Sequence, residues 1–280
     1  CFLIYYFKNK ISYVNKSRFV IEATGFQKPI GLNYQYNIQF YKQVFVGYKL
    51  KITHNYKKVV LLDWKNNIDN YNIKSFCYIV PLEKDILFME ETVLVCNDVY
   101  PYIYGILEGR LKERIKNLKY EILFTEKNII PMNTSIPKYN SHSFGIGQIG
   151  NMINIMSGYS LGYNIYHIPI FCDLIIKNNF DTQKVYQNYW NFKRRLFFKV
   201  NYAGLQMLNE LNQLELADFQ YKYFNQIVNK SFYQHKILFL NCDNNIHFWD
   251  FFISCSFYFN FPIKYLQKMI YYSLKNILFL

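Results

Sequence analysis

Apolar and polar residues alternate along much of the first 100 residues, which is the pattern of β-strands with one face in a core. Short apolar runs between polar turns predict a hairpin at residues 1–14 and a short strand at 19–21. Four more strands are predicted at 43–50, 58–63, 75–81 and 86–96. We therefore expect the first third of the chain to form a mainly antiparallel sheet.

The period of the pattern changes after residue 101. Apolar side chains then recur every three or four residues with charged residues between them, at Ile103, Leu107, Leu111, Ile115 and Leu118. That spacing predicts an amphipathic helix over 102–118. The remaining pattern predicts a strand at 120–124 and then helices, at 151–165, 182–200, 203–214, 217–229 and 262–278.

Two adjacent carboxylates, Glu90 and Glu91, interrupt the apolar run of the strand predicted at 86–96. Consecutive strand residues point to opposite faces, so one of the two should point inward. Burial raises the pKa of a carboxyl group, which can then act as an acid near neutral pH. The alternative is an edge strand whose two carboxylates are both in water.

The formal net charge is +13, but the basic residues are scattered, so a nucleic-acid partner is not favoured. The six cysteines are widely spaced and form no Cys-x-x-Cys, so we expect neither a metal site nor a disulfide framework. No apolar run approaches the roughly 20 residues that span a bilayer. The longest run, Phe251 to Ile263, is rich in Phe and Tyr and suits either a surface that contacts lipid or a hydrophobic ligand, or an aromatic core helix.

Three glycines, Gly145, Gly147 and Gly150, have the spacing of the dinucleotide-binding motif. The segment before them, 137–144, is too polar for the buried strand that this motif follows. A glycine turn before a helix still allows close approach of a ligand to the backbone. The two interpretations left open are a cofactor contact and a purely structural turn.

Four segments occur in an order and spacing that resemble the lycopene cyclase family, which comprises flavin-dependent enzymes of carotenoid synthesis. The segments are Val-Ile-Glu-Ala-Thr-Gly-Phe at 20–26, Val-Val-Leu-Leu-Asp-Trp-Lys at 59–65, Phe-Met-Glu-Glu-Thr at 88–92, and Ile-Pro-Met at 130–132 followed by the turn and helix of 145–159. The chain departs from the family at Asn154-Ile155, where the family has His-Pro. The chain begins at Cys1, so we also expect it to be a fragment of a longer protein.

The resemblance implies a mixed α/β (α+β) chain with the three-layer FAD/NAD(P)-binding flavoprotein fold, here without its N-terminal nucleotide-binding unit. Residues 1–30 and 143–175 would be the remainder of the FAD-binding domain. Residues 31–142 would form an antiparallel-sheet substrate domain, and residues 176–280 a helical C-terminal region.

The resemblance also implies an isomerase, or intramolecular lyase, that closes rings at the ends of a linear carotene. Reduced FAD would be required without net redox, with NADPH as the reductant. Glu90 would be the general acid and point inward, Glu91 would be its replaceable neighbour or a second base, and Asp63 would be a positioning partner. The implied cofactor contacts are Thr24, Gly25, Gly145, Gly147, Gly150, Ser157, Gly158 and Tyr159.

The implied partners are a hydrophobic carotene and the surface of a membrane, in a plastid or on the cytoplasmic face of a bacterial membrane. A targeting segment would be absent from this fragment.

Two alternative functions stay open. One is a flavin-dependent monooxygenase or prenyl reductase on the same fold, in which the two glutamates would be structural. The other is an inactive homologue that binds a membrane or a hydrophobic ligand.

Overall fold

The computed structural model describes residues 2–8, 10–25, 31–34, 39–54, 56–64, 73–139, 141–228 and 261–279. The strands are β1 (Phe2–Lys8), β2 (Ile11–Ser17), β3 (Ile21–Glu22), β4 (Lys42–Ile52), β5 (Val60–Asp63), β6 (Ser75–Glu83), β7 (Ile86–Cys96), β8 (Tyr120–Pro131) and β9 (Phe144–Gly145). The helices are α1 (Ile103–Ile115), α2 (Leu161–Lys177), α3 (Thr182–Tyr189), α4 (Phe192–Glu210), α5 (Gln213–Val228) and α6 (Ile263–Phe279). The mixed α/β class expected from the sequence is confirmed.

The chain divides into two compact units. Unit 1 comprises residues 1–39, 133–203 and 230–280, and unit 2 comprises residues 40–132 and 204–229. These bounds differ from the three predicted segments, because the predicted helical segment is shared between the two units.

Unit 2 contains a five-stranded antiparallel sheet in the order β5-β6-β7-β4-β8. Alternate residues of each strand belong to opposite faces of this sheet. We call one face the helix face, because α1 covers it with an apolar stripe that contains Ile103, Leu107, Leu111 and Ile115. The core beneath that stripe includes alternate residues of the central strands, namely Val44, Val46, Tyr48, Leu50, Leu87, Met89 and Val93.

The other face of the sheet carries Phe45, Phe76, Tyr78 and Phe88, and we call it the aromatic face. Its composition follows from the strand register, since Phe76 pairs with Thr92 and Val80 pairs with Phe88 across β6 and β7. Phe45 lies on the neighbouring strand β4, opposite Thr92. The same sheet thus presents mainly aliphatic side chains to α1 and several aromatic side chains on its other side.

Unit 1 contains the antiparallel hairpin of β1 and β2, which confirms the predicted hairpin. It also contains a short parallel pair, in which Ile21 of β3 lies opposite Phe144 of β9, and Glu22 lies opposite Gly145. Because the two strands are parallel, the loops that follow them leave the same edge of the pair. This arrangement brings two segments far apart in the sequence to one place.

The predicted helix at 151–165 is wrong. Residues 151–160 form turns, and α2 begins at Leu161. Asn151 has a φ of 55°, and the side chain of Asn154 accepts hydrogen bonds from the backbone N–H groups of Met156 and Ser157. Such local bonds by Asn compete with helix formation.

Two other element predictions need correction. The helix predicted at 182–200 is two helices, α3 and α4, which are separated at Trp190 and Asn191. The α4 helix then continues to Glu210, so the helix predicted at 203–214 is not a separate element. The strand predicted at 120–124 is the beginning of β8, which extends to Pro131.

Candidate functional site

Glu91 and Asp63 both bind Arg114 on the helix face of unit 2. The Nε of Arg114 donates to Glu91 Oε2 at 2.9 Å, and its NH1 donates to Asp63 Oδ2 at 2.9 Å. Glu91 has 0% of its side chain exposed, and the exposed fractions of Arg114 and Asp63 are 9% and 16%. One guanidinium therefore binds two largely buried carboxylates, one from β7 and one from β5.

A second arginine extends this network. Ser75 donates to Glu91 Oε1 at 2.5 Å and accepts from Arg110 at 2.6 Å. Arg110 also donates to the carbonyl oxygen of Ile73 at 2.8 Å. Two arginines and two carboxylates balance in charge, as a buried ionic cluster requires. Burial lowers the pKa of Arg114, and the adjacent Glu91 carboxylate raises it; the net direction is upward.

These contacts change the expected assignment of the glutamate pair. Glu91, which was expected to be replaceable, is the fully buried member, whereas Glu90 is half-buried. Both carboxyl oxygens of Glu91 accept hydrogen bonds, Oε2 from Arg114 and Oε1 from Ser75. Asp63 and Glu91, both predicted as catalytic, are thus brought together as ion-pair partners of Arg114.

Glu90 lies on the aromatic face, between Phe88 and Thr92 along β7. Thr92 Oγ1 donates a hydrogen bond to Glu90 Oε1 at 2.7 Å. Burial raises the pKa of Glu90; the hydrogen bond from Thr92 lowers it, and the negative charge of Glu126 raises it, with a net upward direction. Glu90 is therefore the carboxyl of the pair whose surroundings favour the protonated form.

Aromatic rings surround this position. The rings of Phe76 and Tyr78 meet edge to face with centroids 4.9 Å apart, and the Trp64 ring lies 5.0 Å from that of Phe76. A Cβ placed on Gly47 would lie 2.7 Å from Cζ of Phe88, so the Phe88 ring occupies the space above Gly47. Aromatic faces attract cations through their quadrupoles.

The predicted cofactor residues all lie in unit 1, where the loops after β3 and β9 are adjacent. Ile146 N–H donates to the carbonyl of Glu22 at 2.9 Å, which continues the parallel pairing. A Cβ on Gly25 would be 3.7 Å from Gln148 Oε1. The structure therefore brings Thr24 and Gly25 together with the turn of 145–150. Ligands of open α/β sheets bind at this carboxyl edge of parallel strands.

The three glycines of that turn differ in whether a side chain would fit at their positions. A Cβ on Gly150 would lie 2.2 Å from the carbonyl oxygen of Gly145, so Gly150 is needed for the turn to close. Gly147 has a φ of 67° and nothing within 4 Å of a Cβ built on it. The space on the side where a Cβ would lie is therefore open, so a ligand could approach the main chain of Gly147 from that side.

Tyr186 of α3 fixes the start of this turn. Its hydroxyl accepts from Gly145 N–H at 2.8 Å and donates to the carbonyl of Ser143 at 2.9 Å. Glu22 supports the other strand, where it accepts hydrogen bonds from Ser143 Oγ and, at 2.7 Å, from Gly31 N–H. Both side chains are buried, so the geometry of the glycine turn is determined by the core of unit 1.

Ser157, Gly158 and Tyr159, the other predicted cofactor residues, lie in a closed loop immediately before α2. Gly158 N–H donates to the carbonyl of Asn154 at 2.8 Å, and Asn154 N–H donates to that of Tyr159 at 3.1 Å. The contacts described for these three residues join them to Asn154 and to one another. Asn154, at a position where the sequence departs from the family, therefore holds this loop closed.

Sequence reasoning missed Arg114, Gly47 and Glu126. Arg110 and Arg114 stand four residues apart beside the apolar stripe of α1, which was a signal for a buried basic pair. Glu126 was assigned to a loop, because the predicted strand ended at residue 124. Gly47 matters because the ring of Phe88, on the neighbouring strand β7, occupies the space above it. The residues next to Gly47 in the sequence do not indicate this contact.

Within the described ranges, no helix is long and apolar enough to cross a membrane. The same residues contain no cluster of three or more His, Cys, Asp or Glu side chains that could hold a metal ion.

The cysteines described as free are Cys77, Cys96 and Cys172. Burial raises the pKa of the Cys77 thiol strongly, and it raises that of Cys96 to about 11.

Solved structures that resemble this chain include a neighbour that supports the fold. A geranylgeranyl bacteriochlorophyll reductase-like protein of Thermoplasma acidophilum matches with a TM-score of 0.60 at 11% sequence identity. The match covers 94% of this chain and 64% of that protein. At this identity the likeness supports the fold alone.

Sequence comparison identifies relatives among plant enzymes of carotenoid metabolism. A neoxanthin synthase of Solanum lycopersicum is 22% identical over 217 residues, and a lycopene beta cyclase of the same species is 25% identical over 227 residues. Each match covers 69% of this chain and 43% of the relative, so the chain spans less than half of their length. The model of the lycopene cyclase protein family matches residues 12–237. The chain therefore belongs to the lycopene cyclase family.

Proposed function

We propose that the protein to which this chain belongs is a carotenoid cyclase, which closes a ring at the end of a linear carotene without net redox. The observation that carries the proposal is Glu90, a half-buried carboxyl on an aromatic sheet face with its pKa raised by burial. Protonation of an alkene needs such an acid, which burial keeps neutral. Family membership and the lycopene beta cyclase relatives support the same reaction.

In this proposal Glu90 gives its proton to the terminal double bond of the carotene. The resulting carbocation needs neighbours that stabilise positive charge without reacting with it, and the rings of Phe88 and Tyr78 are suitable. Asp63 and Glu91 are positioning residues, which act through Arg114 to hold β5, β7 and α1 together. The reaction class is thus an intramolecular lyase or isomerase.

The residues of unit 1 fit a flavin. The loops at Thr24-Gly25 and Gly145–Gly150 would hold it, with Gly147 exposing main chain to it, and the loop of Ser157, Gly158 and Tyr159 is the further contact. When bound and reduced, FAD would supply an electron-rich ring that stabilises developing positive charge. NADPH is the proposed source of the reducing electrons.

The proposed substrate and location follow from chemistry and from the relatives. A C40 carotene is soluble in lipid, so we propose a hydrophobic substrate channel and peripheral contact with a membrane. The relatives named above are chloroplastic enzymes, and we propose a plastid location on that basis. A nucleic-acid partner is not part of the proposal.

The test is cyclisation of lycopene by the whole protein, loaded with FAD that is kept reduced. The wild type should form a cyclic carotene, and Glu90→Gln should abolish its formation while the flavin stays bound. Glu83→Gln, an exposed glutamate of the neighbouring strand β6, is the matched control and should keep full activity. Full turnover by Glu90→Gln would exclude Glu90 as the acid. NADPH oxidation in proportion to product would favour a monooxygenase or reductase.

A further inference from the structure

Glu126 of β8 lies in the same row of the sheet as Glu90. Glu90 pairs with Gly47 across β7 and β4, and Gly47 pairs with Glu126 across β4 and β8. Residues directly opposite each other in neighbouring strands share a face. Glu126 therefore belongs to the aromatic face, two strands from Glu90, at a backbone separation of roughly 10 Å.

The residue between the two carboxyls has no side chain. The space above Gly47 is occupied instead by the ring of Phe88, whose Cζ would be 2.7 Å from a Cβ at that position. The surface between Glu90 and Glu126 is thus an aromatic ring rather than a polar group. A hydrocarbon cation placed over this ring would have one carboxyl on each side.

The surroundings of Glu126 differ from those of its neighbours in β8. Residues 120–125 and 127–128 are exposed, whereas Glu126 is half-buried. Lys127 points to the opposite face, where it forms an ion pair with Glu108 of α1. The negative charge of Glu126 also raises the pKa of Glu90, so the two carboxyl groups interact electrostatically. Two such groups in unequal surroundings can divide the roles of acid and base.

We propose that Glu126 is the proton acceptor of the cyclisation, with Glu90 as the proton donor. This inference rests on the proposed function. The O–H bond of Glu90 breaks as a C–H bond forms at the terminal alkene. The neighbouring double bond closes the ring, and the positive charge moves to a ring carbon.

The Glu126 carboxylate then takes a proton from the adjacent ring carbon, and the electron pair of that C–H bond becomes the ring double bond. The proton passes from Glu126 back to Glu90 through solvent. One proton is added and one is removed, so the step needs no oxidant or reductant.

The experiment uses the whole protein with FAD kept reduced, and lycopene that carries deuterium at the carbon that loses its proton. Glu126→Gln should lower kcat by about 100-fold with little change in KM, because a positioned base contributes about this factor. It should also increase the kinetic isotope effect above that of the wild type, since proton loss becomes the slow step. Glu126→Asp, which keeps the carboxylate, should restore part of the rate and lower the isotope effect.

Glu121→Gln is the matched control, because Glu121 is an exposed glutamate of the same strand and should leave all three quantities unchanged. A wild-type isotope effect in Glu126→Gln, at any rate of turnover, overturns the acceptor role. If Glu126→Gln does not fold, a wild-type isotope effect with a lowered kcat in Glu126→Asp overturns the role instead. Absence of cyclic product from the wild type would refute the proposed function, which separates the two failures.

Discussion

Glu90 and Glu91 are consecutive in β7, yet they lie on opposite faces of the sheet and in opposite electrostatic surroundings. Glu91 binds Arg114 on the helix face, whereas Glu90 accepts a hydrogen bond from Thr92 on the aromatic face. The first arrangement is a buried ion pair, and burial in the second raises the pKa of Glu90. One strand therefore carries a structural charge and a candidate proton donor next to each other.

Replacement of Arg114 by Met should strongly destabilise unit 2. The variant leaves Glu91 and Asp63 buried without their common cation, and breaking a buried pair in this way costs about 3–5 kcal/mol. The measurement is the free energy of unfolding from urea denaturation. Lys116→Met, which breaks an exposed ion pair with Glu113 on the surface, is the control and should change stability by less than about 0.5 kcal/mol. Equal effects of the two variants would mean that the buried network contributes little.

Glu90→Gln should stabilise the protein at neutral pH. The folded-state pKa of Glu90 is raised above its ordinary value of 4.5. The folded state therefore holds the proton where the unfolded state has lost it, and stability falls as pH rises through that interval. The glutamine variant does not titrate at this position. The difference in free energy of unfolding between the variant and the wild type should therefore grow in favour of the variant as pH rises above about 4.5. Lys49, Tyr78 and Glu126 are titratable groups on the same face, and Lys51 and Glu121 lie further along it.

Denaturation curves of Glu90→Gln and the wild type, recorded at intervals from about pH 4 to about pH 8, give this difference. Glu83→Gln, whose glutamate is exposed, should show no comparable trend. A stability difference independent of pH would show that Glu90 has the same proton affinity in the folded and unfolded states.

Gly47→Ala should move the Phe88 ring and lower the cyclisation rate. The added methyl group would lie 2.7 Å from Cζ of Phe88, which is too close for a carbon contact. Overpacking of this kind costs about 1–3 kcal/mol of stability. We expect a rate loss of about tenfold or more, because the ring would leave the space between the carboxyls.

Phe88→Leu in the Gly47→Ala background supplies the check, because the smaller side chain makes room for the methyl group. The double variant should recover stability relative to Gly47→Ala. Additive losses of stability in the two variants would show that the glycine does not depend on Phe88.

Two glycine variants of the turn in unit 1 should separate cofactor binding from folding. Gly150→Ala places a Cβ 2.2 Å from the carbonyl oxygen of Gly145 and should prevent the turn from closing. Gly147→Ala meets no atom but has a φ of 67°, which costs an alanine about 1–2 kcal/mol. We expect Gly147→Ala to fold and to bind FAD more weakly, as measured by flavin fluorescence, and Gly150→Ala to lose the fold. Unchanged FAD affinity in Gly147→Ala would exclude a contact at that residue.

The sequence pattern located the sheet well because strand alternation is a local property. The bounds of β7 were predicted to the residue, and those of α1 to within a few residues. The length of β8 was missed, because four consecutive polar residues, Thr-Glu-Lys-Asn at 125–128, follow the predicted strand. Its extension to Pro131 is determined by β4, which pairs with it from Lys42 to Ile52, and that partnership is distant in sequence.

The candidate site was predictable as a set of residues but not as an arrangement. The motif at 88–92 identified Glu90 and Glu91, yet the deeper burial of Glu91 depends on Arg114, which lies on another element. Similarly, the prediction of a helix at 151–165 was wrong because of the positive φ of Asn151 and the side-chain hydrogen bonds of Asn154. The spacing of apolar residues does not indicate either feature. Local sequence patterns could not predict features such as the burial of Glu91, which depends on a contact with a residue distant in the sequence.

The two-residue turn at Lys84 and Asp85 connects β6 to β7 and sets how the two strands align. Because side chains alternate between faces, an insertion of one residue there would carry every residue of β7 to the other side. Glu90 would then meet Arg114 and become half of a salt bridge, and Met89 would take its place among the aromatic rings. We therefore expect insertions to accumulate elsewhere during evolution, and the length of this turn to be under stronger selection than its composition.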